Sequence, residues 1–272
     1  MSSWSSNAQN GWVKNKNSFY AQASLSTFSS NKYYSTSGQL FDSGSTYQSN
    51  ALLVYGEYGI TDRFTGVLSV PLLMLNQFST TETVAGVGNL QLGIKYNLLK
   101  SFPLALSVDF DIPTDDGVNF ANSKTPNSLG MIDQINLPTS DGEFNVWTTL
   151  AASQSMVGGK LFATVYGGVN FRTKSFSHQW KSGMELGYLF YNKFYLIGKL
   201  GVQGKIGSEE KITSSFLFGE GTKFTSFGIT GMYNINKHWK IVASYTDYSD
   251  FIIARKNIYD GAALSLGVAL EY

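Results

Sequence analysis

The sequence contains no cysteine, only 5 prolines and few charged residues, and it has no long apolar run. The absence of cysteine excludes a disulfide framework. No segment approaches the roughly 18 consecutive apolar residues that a membrane-spanning helix needs. This absence does not exclude membrane-spanning strands, because each such strand is half polar and is not detected by a search for apolar runs. Lysine and arginine (20) nearly balance aspartate and glutamate (19), and without a basic run nothing favours nucleic acid as a partner.

What the sequence does have is aromatic residues, glycine and a regular alternation. Charged residues make up 14% of the chain, against roughly 25% in ordinary soluble domains. Aromatic residues make up 15%, and there are 28 glycines. In the segment 261–272, the even-numbered positions are apolar or aromatic, whereas Ser265, Gly267 and Glu271 occupy odd-numbered positions. This period of two is typical of a strand with one apolar and one polar face.

Segments of this kind recur along the chain, each near the roughly 9–11 residues that cross a bilayer as a tilted strand. We therefore predict an all-β fold, a transmembrane antiparallel up-and-down β-barrel of about 12 strands. The predicted strands are 18–29, 46–60, 62–75, 88–99, 102–112, 143–155, 160–172, 178–191, 193–206, 224–235, 238–249 and 261–272. An even number of strands places both chain ends on the periplasmic side.

The predicted connections alternate in length. Tight turns are expected at 61–62, 100–101, 157–159, 192–193 and 236–237. Longer links are expected at 30–45, 76–87, 113–142, 207–223 and 250–260, with a shorter one at 173–177. Short turns on one side and long loops on the other are typical of outer-membrane barrels, whereas a soluble sandwich has no reason to sort its loops in this way.

Charged residues in the middle of the predicted strands fall on the face opposite the apolar one. Leu92 and Ile94 share one face of their strand, and Lys95 lies on the other. A lysine or arginine that faced lipid at mid-bilayer would cost about 2–4 kcal/mol, so we predict that the apolar faces point to lipid. Aromatic residues near strand ends suit interfacial girdles, namely Phe19, Tyr58, Phe64, Tyr96, Tyr188, Phe190, Phe194, Tyr233, Trp239 and Tyr272.

The start of the chain is polar and irregular over residues 1–16, ahead of a single barrel domain predicted over 17–272. We expect this segment to lie in solvent or in a barrel mouth. It lacks the basic start and apolar core of a signal peptide. We expect that a signal peptide was removed and that Met1 was added for expression.

Several patches resemble a known family of proteins. The segment 86–96, GVGNLQLGIKY, resembles the GLGDLQLGLKY motif of the phenol-degradation meta-pathway family of bacterial outer-membrane β-barrel proteins. The segment 55–63, YGEYGITDR, is similar to its EYGLTDRL hairpin, and 18–24 and 109–114 are similar to its first strand and to an LPTG-like strand end. The resemblance implies a barrel and a transport role near the catabolism of aromatic compounds. It implies no catalytic residues.

We predict an outer-membrane channel for passive diffusion of small solutes, with apolar or aromatic solutes as one option. The predicted pore-lining residues are Glu57, Lys95, Asp109, Asp111, Trp147, Tyr166, Arg172, Lys181, Glu185, Lys199, Lys205 and Lys240. An occluded barrel that serves as a scaffold or partner subunit in an outer-membrane assembly is the alternative, because twelve strands leave a narrow lumen. The long loop 113–142 is predicted to fold over or into the mouth and constrict it.

A lipid hydrolase is a second alternative, since an outer-membrane phospholipase of similar strand count uses serine and histidine. The two histidines are His178 and His238, and Ser175 and Ser177 lie near the first. Adjacent residues of a strand face opposite ways, which argues against a Ser177–His178 pair. We therefore predict no catalytic site.

We expect no metal site and no cofactor. The sequences around Asp115–Asp116 and Asp141 could hold Ca²⁺, but they are also ordinary turn sequences, which is the preferred interpretation. The expected partners are membrane lipid and a small-molecule solute, and the expected location is the outer membrane of a Gram-negative bacterium.

Overall fold

The computed structural model describes residues 9–99, 101–174, 176–207 and 219–272. Twelve long strands account for most of this part of the chain. They are β1 (Phe19–Tyr34), β2 (Leu40–Gly59), β3 (Phe64–Phe78), β4 (Leu90–Asn97), β5 (Leu104–Ile112), β6 (Asn145–Met156), β7 (Leu161–Arg172), β8 (Gln179–Phe190), β9 (Phe194–Lys205), β10 (Phe224–Asn234), β11 (Trp239–Ser249) and β12 (Ala263–Glu271). Short strands lie in the loops at Val84–Gly86, Phe120–Asn122, Gln134–Asn136 and Ile258–Tyr259.

The twelve strands form one closed antiparallel barrel. Each strand pairs with its neighbours in the sequence, and β12 returns to pair with β1 from Tyr20↔Glu271 to Phe28↔Ala263. Closure leaves the barrel itself without a free edge, so the backbone hydrogen bonds of its paired strands are satisfied by their neighbours. The prediction of an up-and-down barrel of about twelve strands is confirmed.

The outer and inner faces follow the predicted alternation. Leu92 and Leu266 on the outer face are 41% and 61% exposed, whereas Lys95 and Asp109 on the inner face are 1% and 4% exposed. A protein surrounded by water would place these residues the other way round. The arrangement suits an exterior of acyl chains and a polar interior.

The first hairpin is longer than predicted. The segment 30–45 was expected to be a loop, yet β1 runs to Tyr34 and β2 begins at Leu40, so only 35–39 connect them. The serine- and glycine-rich sequence is typical of a loop, but Tyr33 pairs with Phe41 and their rings stack at 5.8 Å. This cross-strand aromatic contact extends the hairpin beyond the rest of the barrel.

The two ends of the barrel differ. The tight-turn end carries both the start of β1 and the end of β12, and the strands there are joined by connections such as 191–193, where Tyr191 and Asn192 have positive φ of 50° and 56°. Two successive residues with positive φ give a turn whose twist matches that of the flanking strands. The predicted turn at 100–101 lies partly outside the described residues, as does the predicted loop 207–223. The opposite, long-loop end carries the segments 113–144 and 250–262.

The predicted girdle residues lie at the tight-turn end. Neighbouring rings contact one another there, with centroids 4.6 Å apart for Phe64 and Tyr96 and 5.7 Å apart for Phe19 and Tyr272. Aromatic rings in such a belt sit at the level of lipid head groups.

Among the described residues, no helix has the length and hydropathy of a membrane-spanning segment.

Candidate functional site

The interior of the barrel contains three regions. The floor, at the tight-turn end, is residues 9–18 together with the wall residues they contact. The roof, at the long-loop end, is a cluster of buried aromatic and aliphatic side chains. The chamber is the cavity between them, which measures about 150 Å³.

The floor is built from the amino-terminal segment, which runs into the barrel ahead of β1. The backbone N–H of Gly11 donates to Ser153 Oγ of β6 at 2.8 Å, and that of Lys14 donates to Thr65 Oγ1 of β3 at 2.8 Å. A Cβ on Gly11 would lie 2.2 Å from the carbonyl oxygen of Pro103, so the close approach requires glycine. The segment therefore bridges walls on different sides of the barrel.

Ion pairs fix the floor to the wall. Lys95 Nζ lies 3.2 Å from Glu57 Oε1 and also donates to Asn10 Oδ1 at 3.2 Å and to the Trp12 carbonyl at 3.3 Å. Its ammonium therefore joins β2 and β4 to the segment. Breaking a buried pair by removing one partner is costly, because the remaining charge loses its compensation.

A second set of contacts lies beside the first. Lys14 Nζ contacts Glu271 of β12 at 2.5 Å, and Lys240 of β11 contacts the same carboxylate. The indole of Trp12 meets Phe162 of β7 edge-on, with ring centroids 5.6 Å apart. The floor is thus held by charge at one side and by aromatic packing at the other.

The roof is apolar. Tyr47 and Tyr259 stack in parallel at 4.3 Å, and Phe28 packs against both at 6.2 Å. Phe224 and Tyr248 join the same cluster, with centroids 5.0 Å apart. These rings project from β1, β2, β10, β11 and the short strand Ile258–Tyr259, so they close the lumen from several directions.

The loop 113–142 completes the roof in part. Ala121 and Leu137 are buried in the cluster, as the predicted fold over the mouth requires. The tip of the loop points away, since Leu129, Met131 and Ile132 are all exposed. Only the ends of this loop therefore cover the lumen.

The rim beside the roof carries a buried charge cluster. Arg172 at the end of β7 donates through Nε to Glu143 Oε2 at 3.0 Å and through a terminal nitrogen to the Gly219 carbonyl at 3.2 Å. Its guanidinium lies 4.4 Å from the ring centroid of Phe176. A planar cation with several donors suits this combination of carboxylate, carbonyl and ring.

The chamber has a mixed lining. Hydroxyl groups come from several strands, and apolar or aromatic surface comes from residues such as Met74, Tyr55 and Val242. The hydroxyl-bearing lining residues include Ser24, Ser26, Ser49, Ser69, Thr230, Ser244, Thr246 and Ser265. A cavity of about 150 Å³ is large enough for a molecule the size of benzene. A second cavity of about 100 Å³ lies beside it, lined by Trp147, Tyr166 and Lys181 among others.

The predicted pore-lining residues all belong to inward-facing rows of their strands. Glu57, Lys95 and Lys240 lie at the floor, Asp111 lines the chamber, and Lys199 lines both cavities. Glu185 lines the second cavity together with Trp147, Tyr166 and Lys181. Asp109 lies on the wall of β5, whereas Arg172 and Lys205 lie at the long-loop ends of their strands.

The structure also assigns roles that sequence reasoning missed. The segment 9–18 carries no periodicity that would have predicted its contacts with six strands, β2, β3, β4, β6, β7 and β12. The roof could have been found, because Phe28, Tyr47 and Tyr248 are aromatic residues on the inward rows of strands near their long-loop ends.

The histidines do not form a nucleophile–base pair with the described serines. Ser177 Oγ donates to Glu220 Oε1 at 2.6 Å, whereas Nδ1 of His178 accepts the backbone N–H of Arg172 at 3.1 Å. Ser175 lies outside the described residues. His238 stacks on Tyr272 at 4.0 Å, at the tight-turn end.

The acidic loop sequences around Asp115 and Asp141 form turns, which is the interpretation preferred above to a Ca²⁺ site. Asp115 Oδ1 accepts the N–H of Gly117, and Asp141 Oδ1 accepts the N–H of Glu143. In the described ranges, no three Asp, Glu, His or Cys side chains come together as a metal site would require. In the loop 250–262, Arg255 contacts Asp250 at 3.0 Å, and its hydrogen bond lowers the pKa of the Asp250 carboxyl.

Comparisons with known proteins agree on the fold. No family model matches the sequence, and no curated protein is significantly similar to it. Among solved structures, the COG4313 outer membrane channel from Pseudomonas putida F1 is similar over 96% of this chain and 97% of its own, with 17% identity and a TM-score of 0.68.

Two more distant structures share the architecture. The translocator domain of the autotransporter NalP from Neisseria meningitidis matches over 96% of this chain and 90% of its own, with 9% identity and a TM-score of 0.57. A mutant of the TodX monoaromatic hydrocarbon channel matches over 95% and 90%, with 10% identity and a TM-score of 0.50. The chain therefore has the fold of outer-membrane β-barrels.

Proposed function

We propose that the protein is an outer-membrane channel for passive diffusion of small solutes. The observation that carries this proposal is a chamber lined by hydroxyl groups as well as apolar side chains, inside a closed barrel whose outer face is apolar. Such a barrel places a water-compatible path across a bilayer. The channel named among the similar structures supports the same function, since it shares nearly the whole length of the fold.

The path is proposed to run from roof to floor past the twelve inward-facing residues predicted from the sequence. Charged side chains of both signs along a narrow path orient a solute as well as admit it. The floor segment and the roof both occupy the lumen among the described residues, so we expect passage to involve movement of the floor segment, of the roof, or of both. The chamber limits the solute to about the size of one aromatic ring unless the walls also move.

The solute class follows from the lining and from the family resemblance. The phenol-degradation meta-pathway family and the hydrocarbon channel named above both point to aromatic compounds. Tyr47, Tyr55 and Met74 supply a matching surface in the chamber, and the surrounding hydroxyls suit a ring that carries a polar group.

One observation favours the occluded scaffold instead. The floor segment is fixed by several hydrogen bonds and ion pairs rather than lying loosely in the lumen. A barrel permanently sealed in this way would act as a structural partner in a membrane assembly.

Single-channel recording in planar bilayers separates the two functions. We expect wild-type protein to give small or rare openings and a variant lacking residues 1–16 to give conductance several-fold larger. A variant that lacks the exposed loop tip 128–132 is the matched control, and its conductance should equal that of the wild type. If the variant lacking 1–16 inserts and remains folded but conducts no ions, the channel proposal is wrong and the scaffold is favoured.

A further inference from the structure

The inward-facing carboxylates of the strands fall into two groups. Those of the first group have a lysine within 4 Å, and they are Glu57 with Lys95, Glu185 with Lys199, and Glu271 with Lys14 and Lys240. The second group consists of Asp109 and Asp111 on β5. Among the described residues, no lysine or arginine nitrogen lies within 4 Å of either carboxylate.

Asp109 and Asp111 are two residues apart and therefore share one face of β5. Each is only 4% exposed. Ser107 Oγ donates to Asp109 Oδ2 at 3.2 Å, but Asp109 Oδ1 has no donor. Lys181 acts on both aspartates at longer range, and its ammonium lies 4.2 Å from the ring centroid of Trp147. Lys95 also acts on Asp109 at longer range, but it is paired with Glu57. Among the described residues, Lys181 is thus the one ammonium facing these two buried carboxylates that is not already paired with another carboxylate, and this leaves an excess of negative charge there.

Asp111 has a residue with a side-chain amide opposite it on each of the two neighbouring strands. The strand register places Gln91 of β4 and Asn145 of β6 directly opposite it. Gln91 Oε1 and Asn145 Oδ1 are buried without a donor, and their side chains are 91% and 98% buried. Gln91 and Asp111 both line the chamber. We name Gln91, Asp109, Asp111 and Asn145 the acceptor wall.

The acceptor wall requires donors and positive charge. A buried acceptor without a donor carries a desolvation cost, and a buried carboxylate without a cation carries a larger one. A ligand that brings several N–H groups and one positive charge would remove both costs. Hydrogen bonds between an ammonium and a carboxylate are among the strongest that a protein makes.

The geometry favours an organic cation over a metal ion. A divalent ion needs several oxygen ligands converging on one point, whereas the acceptor wall is spread over three strands spaced about 4.8 Å apart. An ammonium reaches separate acceptors through separate N–H groups. Beside the wall, Met74, Tyr47 and Phe28 offer apolar surface in a cavity of about 150 Å³, enough for a ring-sized body.

We propose that the acceptor wall binds the ammonium group of a small organic cation, so that cations with a ring-sized apolar body are the preferred solutes of this barrel. That these cations are solutes of the barrel rests on the proposed channel function. The binding site itself is inferred from Asp109, Asp111 and their neighbours alone.

Isothermal titration of the purified full chain in detergent tests the site with three probes of the same size. Benzylammonium carries the positive charge, benzyl alcohol carries none, and benzoate carries a negative charge. We expect benzylammonium to bind at least about tenfold more tightly than benzyl alcohol, and benzoate not to bind. Equal affinities for the three probes, or tighter binding of benzoate, would overturn the proposal.

Two variants locate the binding. Combining Asp109→Asn with Asp111→Asn keeps the shape of both side chains and should weaken benzylammonium binding at least about tenfold. Asp247→Asn removes a carboxylate from the outer face of β11 and should leave binding unchanged. Wild-type affinity in the double variant would contradict the assignment. If the double variant fails to fold, the relative affinities of the three probes for the wild-type chain test the proposal by themselves.

Conductance distinguishes this inference from the proposed function. In the variant lacking 1–16, a salt gradient across the bilayer should give a zero-current potential that indicates cation preference, and benzylammonium should reduce the current. If that variant conducts without preference and without block, the inference fails while the channel stands. If benzylammonium binds but the variant conducts nothing, the site stands while the channel function fails.

Discussion

The floor and the roof close the same lumen by opposite means. The floor is a polar chain segment held by Lys95, Lys14 and backbone hydrogen bonds. The roof is a cluster of rings, centred on Tyr47 and Tyr259, in which packing dominates. Removing one partner of a buried ion pair costs most of the stability that the pair provides, because the other charge is left uncompensated. Removing one ring from an apolar cluster costs stability in proportion to the buried surface that is lost. In the proposed channel, the floor is therefore the better candidate for a gate, and the roof for a filter.

The absence of native cysteine gives a direct way to compare the two closures. A single Ser244→Cys substitution places one thiol in the chamber, because Ser244 lines that cavity. The rate at which a small water-soluble thiol reagent reacts there measures how open the lumen is. The predictions below use this rate together with the free energy of unfolding in lipid vesicles, and they run from the largest expected effect to the smallest.

Lys95→Met should have the largest effect. It leaves the buried Glu57 without a cation and removes the donor to Asn10 and Trp12. We expect a loss of about 3–5 kcal/mol in the free energy of unfolding and a large increase in thiol reaction rate. Lys237→Met at an exposed turn is the control. Equal effects of the two substitutions would show that the floor does not depend on this ion pair.

Tyr259→Ala should weaken the roof and leave the floor intact. It removes a ring that stacks on Tyr47 and packs on Phe28. We expect a loss of about 3 kcal/mol and a moderate increase in thiol reaction rate. Phe251→Ala, at an exposed ring in the same region, is the control. A rate increase as large as that of Lys95→Met would reverse the ranking of the two closures.

Trp12→Ala separates the two sides of the floor. The substitution removes the contact with Phe162 but keeps the ion pairs of Lys14 and Lys95. We expect a loss of about 1 kcal/mol and a small increase in thiol reaction rate. An effect as large as that of Lys95→Met would mean that aromatic packing, not charge, holds the segment.

Asp250→Asn should have the smallest effect, confined to the loop 250–262. The lowered pKa of Asp250 means that its pairing with Arg255 stabilises the folded loop above the ordinary carboxyl pKa and is lost as the pH falls through the lowered value. Because Asp250 is half exposed, we expect less than about 1 kcal/mol. Faster trypsin cleavage after Arg255 at neutral pH would show the change. Asp133→Asn, at an exposed position next to the loop tip 128–132, is the control. Unchanged cleavage would show that the pair does not restrain the loop.

The sequence predicted the barrel well because period-two alternation is a local signal. The apolar faces around Leu92 and Leu266, and the opposed charges at Lys95 and Asp109, follow from the residues of single strands. The extension of the first hairpin was missed because its small polar residues resemble a loop. The contacts that stabilise it, the stacking of Tyr33 on Phe41 and the pairing of β1 with Ile258–Tyr259, appear only in three dimensions.

The floor and the acceptor wall could not be predicted in the same way. Gly11 and Ser153 are separated by 142 positions, and nothing in the segment 9–18 indicates which wall it meets. The inward direction of Asp109 and Asp111 follows from alternation, but whether a lysine lies within reach depends on side chains from distant strands. Charge pairing across a lumen is a property of register and closure, and these are settled only in three dimensions.

The inward course of the floor segment also constrains how the molecule is assembled. Gln9 already lines a cavity beside Trp147, and the chain then descends to meet Gly59 before β1 begins. The pairing of β1 with β12 closes the ring in which this segment lies, so we expect the segment to be in place when that seam forms. A bulky folded tag attached ahead of residue 9 should hinder this last step of insertion, whereas the same tag in the exposed loop tip should not.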